Sequence, residues 1–586
     1  MYSYHKNVQI TLALMKAYGI RRIVASAGTR QISFAFSALQ DDFFQVYSVV
    51  DERSAAFFAL GLIQTTGEPA AIVCTSGTAA CNYLSAVTEA HYQHLPLLVL
   101  TSDRHHYKLN QQEDQCIPQL NLYHDMVRKV VDLPIVRDDM DDWYCGRIVN
   151  EALLELNHRE PGPVHINFQV DPVYPQPGGD FNLSVAQLPK VKKIDRVMAD
   201  DDDSAWVDLA KELNSKRVLL LYGQNRPCSK EEQQLANDFV DCYNVVVASE
   251  HIANRHLHYS LSTSVALTIA PWYKLKPDIV ITMGGHRMAD PKNSLLHNQE
   301  GVEHWHVSRD GCVSDPFHCQ TKIIECRQDY FFKRLANLGE TCEHTYYDEW
   351  HKMEHSRLKK LPKAEDFDFS GAYAVMRLLE SLPEHALLHI SNSNSIRLAT
   401  YFPINPTVEV YCNRGVCGID GSLSSYVAQS YESKRPSFMV IGDLSFFYDM
   451  NALWNYYSTA NTRVMLINNG GGAILNFGAY KTVNVEGKQM NTAASHQTSA
   501  QGWVESRGFT YFSARSKEEL DKAMVQFVGH SDKPMFLEIF TDMDKDIAER
   551  DRIVESYGAT MAPAAKQVSK ILPESMKKTL KKIIGR

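Results

Sequence analysis

The chain has 586 residues, of which 44% are hydrophobic and 22% charged, and its formal net charge is −9. This length exceeds one ordinary domain, and the acidic balance argues against a general nucleic-acid binder, which usually presents a basic face. The first residues lack the features of a secretory signal, and no run of about 18 apolar residues predicts a membrane-spanning helix. The 12 cysteines are scattered, so we expect free thiols and a cytoplasmic, reducing location.

The first third of the chain alternates strand-like and helix-like segments. After an amphipathic helix within residues 1–20, the predicted elements are, in order, RRIVAS (strand), SAAFFALGLIQTTG (helix), AAIVCTSGTA (strand and turn), ACNYLSAVTEAHYQ (helix), LPLLVLTSD (strand) and PVHINFQV (strand). The Pro- and Gly-rich stretch 174–182 predicts a linker. The acidic run 200–203 predicts a helix start, because carboxylates favour helix N-termini.

The remaining two thirds repeat this alternation twice. Apolar runs predict a second sheet from RVLLLYGQ, NVVVASE and DIVITMGG, and a third from ALLHIS, VEVYCN, SFMVIGD, RVMLINN and MFLEIF. The charged stretch 343–363 predicts a second linker. The pattern therefore predicts an α/β protein of three doubly wound domains with parallel sheets. Ligands of such sheets bind beyond the carboxyl ends of the strands.

Polar side chains follow two neighbouring strands of the predicted third sheet. One apolar run ends in Gly442-Asp443, and the next ends in Asn468-Asn469 before the glycines 470–472. One strand–helix–strand crossover fits between them, so a carboxylate and an amide oxygen would meet at the same point. Mg²⁺ prefers such oxygens and completes its shell with phosphate oxygens and water. The alternative is an Asx turn beside a glycine-rich loop. Together the two halves resemble the Gly-Asp…Asn-Asn signature of thiamine diphosphate enzymes.

A carboxylate in the first third of the chain also follows a strand-like segment, as Asp443 does in the last third. Asp51-Glu52 follow a strand-like segment and precede a helix. The metal motif resembles that of thiamine diphosphate enzymes. In those enzymes a Glu of the first domain contacts the aminopyrimidine ring of the cofactor, and this Glu comes from the partner subunit. Partial desolvation of Glu52 would let it share a proton with a ring nitrogen. The alternative is an exposed Glu at a helix start, and the metal motif favours the cofactor role.

Longer segments extend the resemblance to one branch of these enzymes. The most specific are DERSAAFFALGL, TSGTAACNYLSAVTEA, LLVLTSDR, CNRGVCGIDG and GDLSFFYDMNAL with INNGGGAI. From about residue 5 to residue 560 the chain resembles the 2-succinyl-5-enolpyruvyl-6-hydroxy-3-cyclohexene-1-carboxylate synthases of menaquinone biosynthesis. The resemblance implies thiamine diphosphate with Mg²⁺ or Mn²⁺, decarboxylation of 2-oxoglutarate, and addition of the succinyl-semialdehyde carbanion to isochorismate.

The resemblance also implies a division of the chain into domains and an assembly. It implies a pyrimidine-binding domain at 1–180, a central domain at 181–345 and a diphosphate-binding domain at 365–560. The expected assembly is a homodimer or homotetramer with shared active sites. Residues 561–586 would form a basic, amphipathic helical tail, because seven cations and one acid lie between Lys566 and Arg586. The tail would be a solvated or subunit-docking helix, or it would contact an anionic membrane weakly.

Individual residues take roles from the same resemblance. Asp443, Asn469 and the Gly471 carbonyl would hold the metal, and Ile419 would support the bent cofactor. Further cofactor contacts are expected from Ser393, Asn413, Arg414, Gly442, Leu444, Ser445 and Ile474. The expected catalytic residues are Glu52, Gln115, Arg30 and Arg104. Substrate carboxylates would be bound by Arg30, Arg104, Gln115, Ser393, Arg397 and Arg414, since planar Arg delivers paired hydrogen bonds. Each Arg is otherwise an ordinary surface residue, and its place after a strand end favours the binding role.

Three loops depart from the family pattern. Ala27 stands where the family has Pro, His105-His106 replace a Pro, and Asp290-Pro291 stand where the family tends to place a Lys-Arg pair. An acid beside an anionic substrate weakens binding by repulsion. A thiamine diphosphate decarboxylase or carboligase with a different acceptor, in another pathway, is therefore one alternative function. A non-enzymatic cofactor-binding scaffold is the other, and the intact Glu52, Asp443 and Asn469 argue against it.

Overall fold

The computed structural model of the chain describes residues 1–170, 183–196, 203–261, 272–288, 296, 299–360, 362–473 and 486–556. Its core consists of three parallel sheets with helices packed against them. Four of the sequence-based predictions fall outside the described residues: the linker at 174–182, the Asp290-Pro291 substitution, Ile474 and the tail 561–586. Among the helices of the described ranges, none combines the length and apolar character needed to cross a membrane.

The first domain contains a six-stranded parallel sheet and a short antiparallel ribbon. Its strands are β1 (Tyr2–Ser3), β2 (Arg22–Ala25), β3 (Gln45–Ser48), β4 (Ala70–Cys74), β5 (Leu97–Asp103), β6 (Val130–Leu133), β7 (Val164–Gln169) and β8 (Leu183–Val185). Its helices are α1 (Lys6–Ala17), α2 (Ile32–Leu39), α3 (Glu52–Thr66), α4 (Thr78–Cys81), α5 (Leu84–Gln93) and α6 (Asp139–Glu155). The sheet order is β3-β2-β4-β5-β7-β6, and β1 pairs with β8.

The second domain contains a five-stranded parallel sheet. Its strands are β9 (Val218–Tyr222), β10 (Val245–Ser249), β11 (Ile279–Met283), β12 (Glu303–Ser308) and β13 (Gln320–Glu325), in the order β10-β9-β11-β12-β13. Its helices are α7 (Asp203–Leu213), α8 (Lys230–Cys242), α9 (Trp272–Leu275), α10 (Gln328–Ala336) and α11 (Thr345–Leu358). The predicted linker at 343–363 was wrong: most of it is α11. The helix buries Tyr346 and Trp350 against the second domain, and the charges that suggested a linker occupy its other faces, except for Glu354, which is also buried.

The third domain has a six-stranded sheet. Its strands are β14 (Leu387–Ile390), β15 (Glu409–Tyr411), β16 (Ser437–Gly442), β17 (Thr462–Asn468), β18 (Thr510–Ala514) and β19 (Met535–Phe540). Its helices are α12 (Gly371–Ser381), α13 (Asn394–Ala399), α14 (Ser422–Ser433), α15 (Asp443–Asp449), α16 (Lys488–Asn491), α17 (Gln501–Ser506), α18 (Lys517–Val528) and α19 (Met543–Ser556). The order β15-β14-β16-β17-β19-β18 repeats that of the first sheet, which confirms the predicted doubly wound α/β class.

Helices α3 and α14 join the first domain to the third. A Cβ on Gly61 of α3 would lie 2.2 Å from the Ser425 carbonyl oxygen of α14. A Cβ on Gly421, just before α14, would lie 2.1 Å from the Phe57 ring. The two glycines therefore allow the helices to pack in direct contact, and one hydrophobic core runs through both domains. This packing places the start of α3, whose first residue is Glu52, against the third domain.

Candidate active site

Asp443 lies at the carboxyl end of β16, where buried strand becomes helix. Its side chain is only 3% exposed, and its Oδ2 accepts hydrogen bonds from the backbone N–H of Asn469 at 3.2 Å and of Gly471 at 2.9 Å. His496 Nε2 lies 3.3 Å from the same oxygen. Burial raises the pKa of Asp443, while the Leu444 N–H and the charge of His496 oppose the rise. The structure thus joins the two strand ends that the sequence paired, through the predicted metal carboxylate.

The side chain of Asn469 is held by a residue that the sequence analysis did not single out. Its Nδ2 donates to Asp546 Oδ2 at 2.8 Å, which leaves its Oδ1 as the side-chain atom available to a cation. The neighbouring Asn468 instead points to the sheet interior, where its Nδ2 donates to Glu538 at 2.7 Å. The two asparagines therefore have different roles, one toward the site and one toward the core.

Gly471 needs to be glycine. Its φ is +149°, and a Cβ there would lie 2.5 Å from the Ala493 carbonyl oxygen. Its own carbonyl, a predicted metal ligand, accepts from the Ala473 N–H at 3.1 Å. A carboxylate, an amide oxygen and a backbone carbonyl at one strand edge form the hard oxygen set that Mg²⁺ or Mn²⁺ takes together with phosphate oxygens. The residues present therefore fit a metal-bound diphosphate.

The other predicted cofactor contacts cluster around the start of α15. The Ser445 hydroxyl donates to the Ile419 carbonyl at 2.9 Å. This hydrogen bond joins the loop that contains Ile419 to helix α15, which begins with Asp443. Gly442 precedes the first turn of α15, and the Leu444 N–H donates to Asp443 Oδ1 at 2.7 Å. These contacts put the metal end and the residue expected to support the cofactor ring on one rigid unit.

Glu52 is the first residue of α3 and is half-buried. Burial raises its pKa, and the neighbouring Asp51 carboxylate raises it further. The next residue, Arg53, donates to the carbonyls of Asp420 and Tyr448 and lies 3.3 Å from a carboxylate oxygen of Asp449. The Glu52 turn is thus fixed against the loop after Ile419 and the end of α15, within the same chain.

Asn392 gathers the predicted substrate residues of the third domain. Its Nδ2 donates to the carbonyls of Asn413 and Gly418, and its Oδ1 accepts from Arg414 Nη1 at 3.1 Å. Ser393, beside it, has φ +70° and accepts a hydrogen bond from Arg397 on its carbonyl. A non-glycine residue in that conformation is strained, and such strain clusters at functional sites.

Arg397 and Arg414 carry charge without a carboxylate partner among the described residues. Burial lowers the pKa of Arg397, and the charges of Arg414 and Arg550 lower it further. Both side chains line a cleft of about 940 Å³ among the three domains, together with Arg287 of the second domain. The cleft lining also includes the acids Glu160, Glu232, Asp310 and Asp329. Arg397 and Arg414 are not paired with a carboxylate in the described part of the chain, and such cations attract carboxylate ligands, which is the chemistry predicted for these two residues.

The predicted first-domain residues are more dispersed. The Arg30 N–H donates to Thr75 Oγ1, and the side chain is 8% exposed. Gln115 has φ +52° and is exposed, and its Cα lies 3.0 Å from where Gly77 would carry a Cβ. Arg104 pairs with Glu113 at 3.2 Å, so an acid already accompanies this cation. Of the departures from the family pattern, His106 lies 3.2 Å from Asp132 and faces a first-domain partner.

Three further residues of the site carried no sequence signal strong enough to find them. Asp449 and Asp546 lie within helices, and their burial comes from contacts across the fold. Glu89 of α5 is 1% exposed and accepts from the N–H groups of Gly415 and Val416, next to Arg414. Each looked like an ordinary surface acid of a helix, and only the tertiary packing distinguishes them.

Similarity to known proteins extends over the whole chain. Residues 6–122 match the thiamine pyrophosphate enzyme N-terminal binding domain family. The 2-succinyl-5-enolpyruvyl-6-hydroxy-3-cyclohexene-1-carboxylate synthase of Bacteroides fragilis is 37% identical over 571 residues, covering 95% of this chain and 99% of the relative. The synthase of the same name from Flavobacterium johnsoniae is 32% identical, covering 94% and 98%.

Among solved structures, benzoylformate decarboxylase from Polynucleobacter necessarius matches with a TM-score of 0.70 and 16% identity, covering 93% of this chain and 99% of that one. This likeness concerns the fold. The identity and coverage of the sequence relatives go further and confirm the predicted resemblance. The chain therefore belongs to the 2-succinyl-5-enolpyruvyl-6-hydroxy-3-cyclohexene-1-carboxylate synthase family of thiamine diphosphate enzymes.

Proposed function

We propose that this protein decarboxylates 2-oxoglutarate with thiamine diphosphate and adds the resulting four-carbon unit to isochorismate, as a synthase of menaquinone biosynthesis. The observation that carries the proposal is the 37% identity to curated synthases over 95% of the chain. The oxygen ligands gathered at the ends of β16 and β17 support the cofactor half of the reaction.

We also propose the domain roles. The pyrimidine-binding domain would span 1–180, the central domain 181–345 with α11 added, and the diphosphate-binding domain 365–560. The match of the N-terminal cofactor-binding family to residues 6–122 supports the first assignment. A homodimer or homotetramer with shared sites follows from the family resemblance, and the resident metal would be Mg²⁺ or Mn²⁺.

When bound, thiamine diphosphate supplies a nucleophilic carbon and an electron sink for the loss of CO₂ from a 2-oxo acid. Asp443, Asn469 and the Gly471 carbonyl would hold the metal that binds the diphosphate. Glu52 would hold a proton at its carboxylate for exchange with the aminopyrimidine ring, and its half-buried position favours the protonated form. Ile419 would keep the cofactor bent, on a loop anchored by Ser445.

The substrate carboxylates would be bound by arginines. Arg397 and Arg414 lack acidic partners in the described part of the chain and are partly desolvated, so an anion gains from both charges there. Arg30 and Gln115 would complete the site from the first domain. Arg104 would contribute less, since Glu113 already neutralises part of its charge.

The test measures CO₂ release and product mass with thiamine diphosphate, Mg²⁺ and 2-oxoglutarate, with and without isochorismate. A product with the mass of the succinylated cyclohexene carboxylate is expected only when isochorismate is present. Decarboxylation without that product would keep the donor half and assign a different acceptor. If none of a panel of 2-oxo acids released CO₂, the result would contradict an enzymatic role and favour the alternative of a cofactor-binding scaffold.

A further inference from the structure

The last described helix, α19, borders the loop 469–472 after β17, which carries two of the predicted metal ligands and is called the metal loop below. A Cβ on Gly471 would lie 3.1 Å from the Met543 methyl group, in the first turn of α19. One turn later, Asp546 reaches the side chain of Asn469. These two contacts lie on one face of the helix, because residues three apart are neighbours there. A segment far from the signature motif in sequence therefore touches two of the predicted metal ligands.

Asp546 is a buried carboxyl group whose side-chain hydrogen bonds within the described part of the chain come from neutral donors. It is 3% exposed, and its Oδ1 accepts from the Gly371 N–H at 2.7 Å. Its Oδ2 accepts from Thr541 Oγ1 at 2.9 Å and from Asn469 Nδ2 at 2.8 Å. Burying a carboxylate without a cation is costly, so a purely structural position would be filled more cheaply by a neutral side chain.

The hydrogen bond to Asp546 determines which way the Asn469 amide faces. Its NH₂ group is the donor, and Asp546 Oδ2, which also accepts from Thr541, is the acceptor. The carbonyl oxygen then lies on the opposite side of the amide. The backbone N–H of Asn469 is held at the same time by Asp443 Oδ2. Asn469 is thus anchored at its backbone and its side chain, and only Oδ1 is left for a cation.

We propose that Asp546 is a positioning residue for the metal site: it fixes the Asn469 side chain in the orientation that presents Oδ1 to the metal. The inference rests on the proposed role of Asn469 as a metal ligand. Outer partners of this kind orient metal ligands and account for about 10- to 100-fold in metal affinity.

The test uses Mn²⁺ as the probe, with free Mn²⁺ measured by electron paramagnetic resonance at saturating thiamine diphosphate. In D546N, the new NH₂ group must face either the Gly371 N–H or the Asn469 NH₂, and both are donors. The Asn469 amide therefore either turns over or loses its hydrogen-bond partner. In N469D, two carboxylates would lie in contact. We expect each single variant to weaken Mn²⁺ binding about 10- to 100-fold.

The double variant N469D/D546N reverses the polarity of the same hydrogen bond. The new amide at position 546 would donate to the new carboxylate at position 469, accept from the Gly371 N–H and donate to Thr541, so every group keeps a partner. We expect this exchange to restore Mn²⁺ affinity to within about threefold of the original protein, because a free carboxylate oxygen again faces the metal. A role limited to folding would not produce recovery of metal affinity by this particular exchange.

Asp521 provides a matched control in the same domain. It accepts hydrogen bonds from Tyr373 and Arg377 and has no contact with the metal loop among the described residues, so D521N should leave Mn²⁺ affinity unchanged. Weakening in N469A with no change in D546N would overturn the inference while keeping the metal site. Failure of the double variant to recover would overturn it too. Unchanged affinity in N469A would overturn both the inference and the proposed metal ligand.

Discussion

The first and third sheets can be matched strand by strand, because both run in the order 2-1-3-4-6-5 when the strands of each sheet are numbered along the chain. Their strand ends differ in chemistry. After β16 and β17 the third domain presents Asp443 and Asn469, whereas the matching strands β4 and β5 of the first domain are followed by Thr75 and Arg104. The first domain's carboxylate, Glu52, instead follows its edge strand β3. In the proposed function the same fold would thus hold a metal in one domain and a proton in the other, and the difference would come from a few residues at strand ends.

The largest expected effect comes from the first-domain carboxylate. Changing Glu52 to Gln should lower turnover by about 10²- to 10⁴-fold, because a positioned proton-transfer group contributes that much. Thiamine diphosphate and Mn²⁺ affinities should stay within about threefold, since the metal end belongs to the third domain. Steady-state CO₂ release and calorimetric cofactor titration measure the two quantities.

The matched control for this variant is E68Q, an exposed Glu of the same domain that pairs with the buried Arg22, which also pairs with Glu432. It should leave turnover unchanged. If the Glu52 variant kept full activity, Glu52 would not be the proton-transfer group, and the proposed difference in role between the first and third domains would be wrong.

The connection between the two domains is the next point to test. Arg53 is the cation beside buried Asp449, whose carboxylate also accepts from the backbone and hydroxyl of Ser424. Burial raises the pKa of Asp449 to about 7, although the charge of Arg53 opposes the rise. R53M should lower the free energy of unfolding by about 3 kcal/mol, since removing one partner of a buried pair leaves an uncompensated charge.

Urea denaturation at pH 8 measures this loss, because that pH lies above the pKa of Asp449 in the original protein and the ion pair is then formed before the change. The double variant R53M/D449N should recover part of it by removing the orphaned charge. An additive loss in the double variant would mean that Arg53 acts through its two carbonyl contacts and not through Asp449.

A smaller effect is expected at the third-domain cations. R414K keeps the charge but loses the planar fork, so the KM for the carboxylate substrates should rise about 10-fold. The contrast is E113Q in the first domain, which frees Arg104 from its acid and should lower the same KM or leave it unchanged. Equal increases of KM in both variants would contradict the different pairing of these arginines.

Much of this organisation could be predicted from sequence, for physical reasons. Central strands such as β9 and β16 are buried on both faces, so they appear as unbroken apolar runs. The strands β6, β12, β13 and β18 were missed because each is partly exposed and mixes polar residues into the run. Asp443 and Asn469 were found because their spacing is local to one crossover. Asp546 was not, because its partner lies 77 residues away in sequence.

The smallest effect concerns the sheet interiors, where the two domains should behave alike. His165 in the first sheet and His389 in the third are both fully buried, and burial lowers their pKa values to about 3 and about 4. An unfolded His has a pKa near 6.5, so each histidine supports the folded state above that pH and loses this contribution as pH falls from 6.5 toward 4. Each should add about 1.4 kcal/mol per pH unit to the loss of stability in that window.

The variants H165Q and H389Q test this domain by domain. Each should reduce the acid sensitivity of its own sheet, measured by hydrogen-exchange mass spectrometry between pH 6.5 and 5, after correction for the intrinsic exchange rate. Thr101 and Gln429, the present partners of the two histidines, can each keep a hydrogen bond to the glutamine amide that replaces the ring. A change confined to one sheet in each variant would show that the domains open separately in acid. An equal change in both sheets would mean that the core shared by α3 and α14 makes the two domains unfold together.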